Sequence, residues 1–140
     1  IKHFISAFGE HVIAEEAERA MAEARKAFPD VQLVEFTVAP QVNPEKGDLP
    51  HHEWLVELSG PLADQQGFQA VLENSMRSQN IYYQDLITGN VLRGLELTIL
   101  APNAFIDYMK SQGKLGGQNK VPRLSNDRAI AEGLRAFAAN

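Results

Sequence analysis

Three runs in which apolar side chains recur at every second position constrain this chain more than anything else in it. Val34, Phe36 and Val38 alternate with Glu35 and Thr37. His52, Trp54, Val56 and Leu58 line one side of a second run, with Glu53 and Glu57 on the other. Leu95, Leu97 and Ile99 alternate with Glu96 and Thr98 in a third. Successive side chains of a strand point to opposite faces, so each run predicts a strand with one apolar and one more polar face. Residues 1–5, IKHFI, read as a further short strand at the start. The first two long runs are joined only by a Pro- and Gly-rich loop over residues 39–50, and an antiparallel pair is the simplest outcome. Strands with two unlike faces predict a small, largely antiparallel sheet of three to four strands, covered by helices mainly on one side.

The segments between the strands carry helical spacing. Over residues 11–28 the apolar positions Ile13, Ala17, Ala20, Met21, Ala24 and Phe28 fall on one face, with glutamates early and Arg25-Lys26 late, the order that suits a helix dipole. A second stripe of Phe68, Val71, Leu72, Ser75 and Met76 follows Asp64, a plausible capping residue. Residues 81–92 fit a strand, a short helix or neither. Pro102-Asn103 opens another helix anchored by Phe105, Ile106 and Met109. Ser125-Asn126-Asp127 caps a last one, with the stripe Ile130, Leu134 and Phe137. The predicted order is β-α-β-β-α-β-α-α: a single α+β domain spanning residues 1–140.

Composition narrows the function. With 44% apolar residues the chain can bury a real core, and its net charge of −5 argues against non-specific nucleic-acid binding. No apolar run is long enough to span a bilayer, and the absence of cysteine rules out disulfide or thiolate chemistry. These features suit the cytoplasm. The chain opens at Ile1, in what reads as mid-strand and without a methionine, which leads us to expect a piece of a longer polypeptide.

Most candidate chemistry has a plainer explanation. His51 and His52 are neighbours on a strand and point to opposite faces, so they do not share a metal ion. Glu53 and Glu57 share a strand face but read as solvated, and Trp54 reads as core. No serine lies in a strained elbow beside a histidine. Residues 110–128, KSQGKLGGQNKVPRLSNDR, are different: they set Lys110, Lys114, Lys120, Arg123 and Arg128 against the single acid Asp127. Gly113, Gly116 and Gly117 allow positive φ and close approach to a ligand, and Pro122 fixes the backbone just after Lys120. The stretch lacks the spacing of a nucleotide phosphate loop. On physical grounds alone it is a basic surface loop, or a lysine held so that it can be aimed.

Residues 114–128, KLGGQNKVPRLSNDR, resemble the C-terminal signature of the auxin-responsive (Gretchen Hagen) acyl-acid amido synthetase family, especially its bacterial members. Plant members carry a related Gln-x-Lys-x-Pro-Arg core, matched here by Gln118, Lys120, Pro122 and Arg123. Further matches come in the same order: residues 4–10, FISAFGE; residues 52–57, HEWLVE; and Asn80 with Tyr83. Bacterial relatives often have a basic pair after that last element, where this chain has Gln84-Asp85-Leu86.

The resemblance implies the small C-terminal lid domain of an adenylate-forming enzyme. A preceding N-terminal domain would hold most of the contacts to ATP and Mg2+ and to the carboxylic acid. An acyl-adenylate would form, and its acyl group would pass to an amine such as that of an amino acid. Lys120 would be the catalytic cation. Gln118, Arg123 and Gly117 would position substrate or loop, and Gly9 with Glu10 would lie at the interdomain hinge. Such a domain should be inactive alone. The other reading is a non-enzymatic binding module that uses the 110–128 loop to hold an anion or a protein partner.

Overall fold

The computed structural model describes residues 4–113 and 120–139. A three-stranded sheet lies at the centre, in the order β3 (Leu33–Gln41), β4 (His51–Leu58), β5 (Glu96–Leu100). β3 and β4 are antiparallel, with Phe36 opposite Val56 and Val38 opposite Trp54, as expected of consecutive strands joined only by a loop. β5 joins the other side of β4 in parallel, Leu97 opposite Trp54. A second, two-stranded antiparallel ladder joins β1 (Phe4–Ile5) to β2 (Val12–Ile13). Both sheets are small; the central one has one antiparallel and one parallel ladder, and counting the β1–β2 ladder two of the three described ladders are antiparallel.

Helices α1 (Ala14–Ala27) and α2 (Gln65–Gln79) cover the face that carries Phe36, Val38, Trp54, Val56 and Leu58. α1 turns Ala17, Ala20, Met21 and Ala24 inward, and the three alanines let it lie close against α2. The Glu16 carboxylate accepts from the Ile13 N–H at 3.0 Å, which satisfies one of the donors a helix start leaves open. In α2 the expected cap is present: Asp64 Oδ1 accepts from the Gly67 N–H at 2.9 Å. Residues 81–92, open to several readings in sequence, contain the helix α3 (Ile81–Thr88), capped by the Asn80 side chain on the Tyr83 N–H.

The expectation of cover mainly on one side is corrected. α4 (Ala104–Ser111) and α5 (Ala129–Arg135) pack on the opposite face around Ala39, Leu55, Leu100, Phe105 and Leu134. Every residue of β4 is buried, including Glu53 and Glu57, which had read as solvated. A carboxylate leaves water only if donors replace the solvent. Glu57 accepts from the Asn103 N–H at 2.9 Å and the Phe105 N–H at 3.0 Å, both at the open N-terminus of α4. Glu53 receives Arg128 at 2.7 Å, Arg135 at 2.6 Å and the Thr98 hydroxyl at 2.5 Å. Gly133 allows α5 to pass this close, since a Cβ there would stand 2.5 Å from the Tyr108 ring.

Both outer edges of the sheet are occupied. Leu124 forms a parallel bridge to Val38 on the free side of β3, and Ala138 an antiparallel bridge to Leu100 on the free side of β5. The first of these contacts fixes the chain just after Lys120.

Candidate functional site

Two backbone hydrogen bonds and one from a side chain fasten residues 122–125 to β3. The Val38 N–H donates to the Arg123 carbonyl at 2.9 Å, and the Ser125 N–H to the Val38 carbonyl at 3.0 Å. The Thr37 hydroxyl reaches the Pro122 carbonyl at 2.7 Å. Leu124 is wholly buried behind this ladder, among the residues of the α1/α2 face. A residue that must lie buried in a β register fixes the positions of its neighbours, and Pro122 narrows their conformers further.

Arg123 is held on four sides. Its guanidinium lies 3.9 Å over the Phe36 ring, which in turn stacks on Trp54 at 5.5 Å and 2° between ring planes. It donates to Glu35 at 2.6 Å and to the Phe36 carbonyl, and Glu18 of α1 stands 3.5 Å from its Nε. Planar stacking combined with a fork of donors suits arginine and not lysine. The side chain is thus engaged by acids of its own domain and ties the basic segment to the core.

Two residues earlier, Lys120 is exposed to solvent. It stands at the lip of an anchored segment, with its ammonium carried on a flexible stem. Gly117 and Gln118 lie outside the described residues.

Gly9 and Glu10 occupy the turn of the β1–β2 hairpin. Gly9 has φ +90° with open space around it, and His11 has φ +45°. Between them Glu10 is completely buried. One carboxylate oxygen meets His52 Nε2 at 2.7 Å, and the other accepts from the Phe8 N–H at 2.7 Å. Burial pushes the Glu10 carboxyl up, but the His52 hydrogen bond and charge, with the Phe8 amide, outweigh it and hold the group below its ordinary value. Asn80 Nδ2 donates to the Glu10 carbonyl at 2.9 Å and to Glu16 at 3.1 Å. The hairpin also touches the basic segment: the Ser6 N–H donates to Asn126 Oδ1 at 3.1 Å. The structure therefore brings His52 and the 122–126 segment to one hairpin turn, the first at Glu10 and the second at Ser6.

Sequence reasoning set His52, Glu53 and Glu57 aside as ordinary polar residues and named Asn80 only as part of the resemblance. For His52 the signal was available, since it occupies the apolar register of β4 with Trp54 and Val56. A histidine at such a position needs a buried partner. The two histidines do face opposite ways: His51 Nδ1 donates to the Leu49 carbonyl at 2.9 Å, on the side where Arg93 and Glu96 lie.

A small α+β domain with a basic segment anchored at one sheet edge is the class of domain that these features define. Residues 15–129 match the model of the GH3 family C-terminal domain, and the chain belongs to that family. Solved structures agree in fold. The chain superposes on a GH3.15 acyl acid amido synthetase with a TM-score of 0.79 at 19% identity, covering 99% of this chain and 27% of that one. On the AtGH3.15 acyl acid amido synthetase in complex with 2,4-DB the TM-score is 0.73 at 18% identity, covering 99% and 26%. The chain thus spans about a quarter of the length of these proteins. No curated protein sequence matches it.

Proposed function

We propose that this chain is the C-terminal lid of an ATP-dependent acyl-adenylating ligase and supplies Lys120 as the cation of the adenylation step. The observation that carries this reading is the contrast at the β3 edge. Residues 122–125 are pinned by backbone and side chain, whereas Lys120, two residues upstream, projects into solvent.

A carboxylate attacking an α-phosphate brings two anions together and builds charge on the phosphorus oxygens. An ammonium delivered from a second domain lowers that repulsion at the moment it develops. It acts only while the domain is closed, so rotation about the entrance near Gly9 would separate adenylation from transfer of the acyl group to an amine. Arg123 and Pro122 act as the footing of the segment, and Gln118 and Gly117 would position the substrate or the loop. ATP, Mg2+ and the carboxylic acid would be bound mainly by a preceding domain, so the lid alone would not turn over. Among the described residues no group of three or more acids or histidines is placed to hold the ion. The amido synthetases that share the fold make an amino acid the acceptor we would test first.

The test is ATP–pyrophosphate exchange by the full-length protein across a panel of carboxylic acids, wild type against Lys120→Ala. We expect exchange to fall about a hundredfold or more, on the order of 3 kcal/mol, the scale of a preorganised charge stabiliser. Unchanged exchange with an intact fold would remove Lys120 from the adenylation step and leave the segment as an anion- or partner-binding loop.

A further inference from the structure

The hairpin that leads into the domain is too slight to hold itself in place. Its ladder has two pairs, Phe4 with Ile13 and Ile5 with Val12, and an isolated two-stranded hairpin is marginal even at greater length. Two kinds of contact hold it to the domain. Ile5 and Val12 are buried in the core, and Glu10 is drawn in between two left-handed residues to meet His52. Both features of that second contact are unfavourable taken singly. A non-glycine residue at φ +45° is strained, and a carboxylate withdrawn from water is costly even when it is hydrogen-bonded. Strain and buried charge, met together at one turn, mark an element that has to be held in one arrangement and released from it.

We propose that Glu10 and His52 form a latch that clamps the β1–β2 hairpin to the sheet and whose opening frees the hairpin to swing as a unit. Asn80 completes the clamp. Its Nδ2 holds the Glu10 carbonyl at 2.9 Å and the His11 carbonyl at 3.3 Å, while its Oδ1 caps α3. The closed latch also sets Ser6 against Asn126. The entrance of the chain and the trailing end of the Lys120 segment are thus held in one mutual position, and opening the latch would loosen both. In that respect the latch deepens the lid reading and rests on it; as a device within this domain it does not.

The surroundings determine how the latch responds to protons. Tyr83 of α3 lies against His52, with ring centroids 5.2 Å apart, and its hydroxyl is tied to Glu73 of α2 at 2.7 Å. Arg77 of α2 and Glu16 of α1 also lie nearby, the latter reached through Asn80, and His11 adjoins Glu10 in the turn. The Glu10 carboxyl is held below its ordinary value, so its stabilisation is fully present above that value. As pH falls through the folded-state value the carboxyl protonates and the stabilisation is lost. The latch opens in acid.

Amide hydrogen exchange in the full-length protein tests this, read as protection factors for residues 5–13 against those of β3 and β4. Glu10→Gln keeps the shape and removes the charge. We expect protection in the hairpin to fall roughly a hundredfold, the scale of breaking a buried pair, with β3 and β4 unchanged. Wild-type protein brought from pH 7 to pH 4 should show the same selective opening in part, which keeps the test alive should the variant fold poorly. Hairpin protection that stays constant, or that falls in step with the central strands, would overturn the latch. Neither result depends on Lys120. A silent Lys120→Ala with a selective hairpin effect would refute the lid reading alone, and the converse pattern would refute the latch alone.

Discussion

The two faces of β4 are built on opposite principles, although both are fully buried. Toward α1 and α2 the strand presents Trp54, Val56 and Leu58, packed by area and shape. Toward α4 and α5 it presents Glu53, Leu55 and Glu57, where the acids are buried only because later parts of the chain bring donors to them. The first face is secured by many contacts of similar kind and tolerates imperfect fit. The second is secured by a few directed bonds, and each one fixes where a helix sits. Glu57 sets the start of α4, and Glu53 sets α5 through Arg128 and Arg135. The difference matters for the lid reading because Arg128 ends the basic segment, so the polar face fixes that end of the loop while the apolar face fixes Leu124 and Arg123.

The largest effects should come from breaking each face by its own rule. Trp54→Ala should cost about 3–5 kcal/mol through a cavity beside Phe36, and Glu53→Ala about 2–3 kcal/mol through lost charged hydrogen bonds, since half-buried Arg128 keeps Glu132 and Arg135 is exposed. Urea unfolding would give both values. The two diverge on repair. Glu53→Leu combined with Arg128→Leu should recover much of the loss, because an apolar replacement of a buried pair is often neutral. No second-site change should refill the Trp54 cavity so simply. If the Glu53 double variant stays as unstable as Glu53→Ala, the polar face is held by packing as well, and the contrast fails.

Gly133→Ala sharpens the same contrast at smaller scale. On helix propensity alone an alanine in α5 would stabilise by roughly 1 kcal/mol. The added Cβ would stand 2.5 Å from the Tyr108 ring, so we expect a net loss of about 1–3 kcal/mol from overpacking between α4 and α5. A thermal shift upward would show that the two helices move apart freely. That would in turn weaken the case that Glu53 and Glu57 fix their positions.

The sequence made the apolar face legible and hid the polar one, for a physical reason. Alternation reports only that Glu53 and Glu57 face away from Trp54. Whether that side meets water depends on Asn103, Phe105, Arg128 and Arg135, and no period links these residues to β4. The same limit explains β5. Its alternation named a strand, but its parallel pairing to β4 is a property of the crossover through α2 and α3. Residues 81–92 resisted reading because α3 buries little beyond Tyr83 and leaves Ile81 and Tyr82 exposed, so there is no stripe to see. Val12 and Ile13 fell into the predicted first helix because Ile13 fits its stripe, and only pairing with Phe4 and Ile5 makes them a strand. Within the candidate site, composition drew attention to Lys120 and Arg123. The stack of Arg123 on Phe36 and Trp54, and the burial of Glu10 against His52, are tertiary facts that no local pattern encodes.

The smallest expected effect is at Tyr83, where a polar bond is set, like that of His52 to Glu10, into the largely apolar face. Its hydroxyl donates to Glu73 Oε1 at 2.7 Å, and the same oxygen accepts from the Leu95 N–H at 3.1 Å, so Tyr83→Phe leaves Glu73 with a donor. The loss should be only about 1 kcal/mol. The pH dependence is more telling than the size. Burial, then the Glu73 charge, push the Tyr83 hydroxyl well above its ordinary value of 10.0. The folded state therefore keeps a proton that the unfolded chain gives up. The stabilisation is fully present below pH 10 and drains away as pH rises beyond it toward the folded-state value. Unfolding measured between pH 8 and pH 11 should show a declining alkaline limb in the wild type and a flatter one in Tyr83→Phe. If the two limbs run parallel, the hydroxyl is not isolated from solvent, and the apolar face is wetter at α3 than its burial implies.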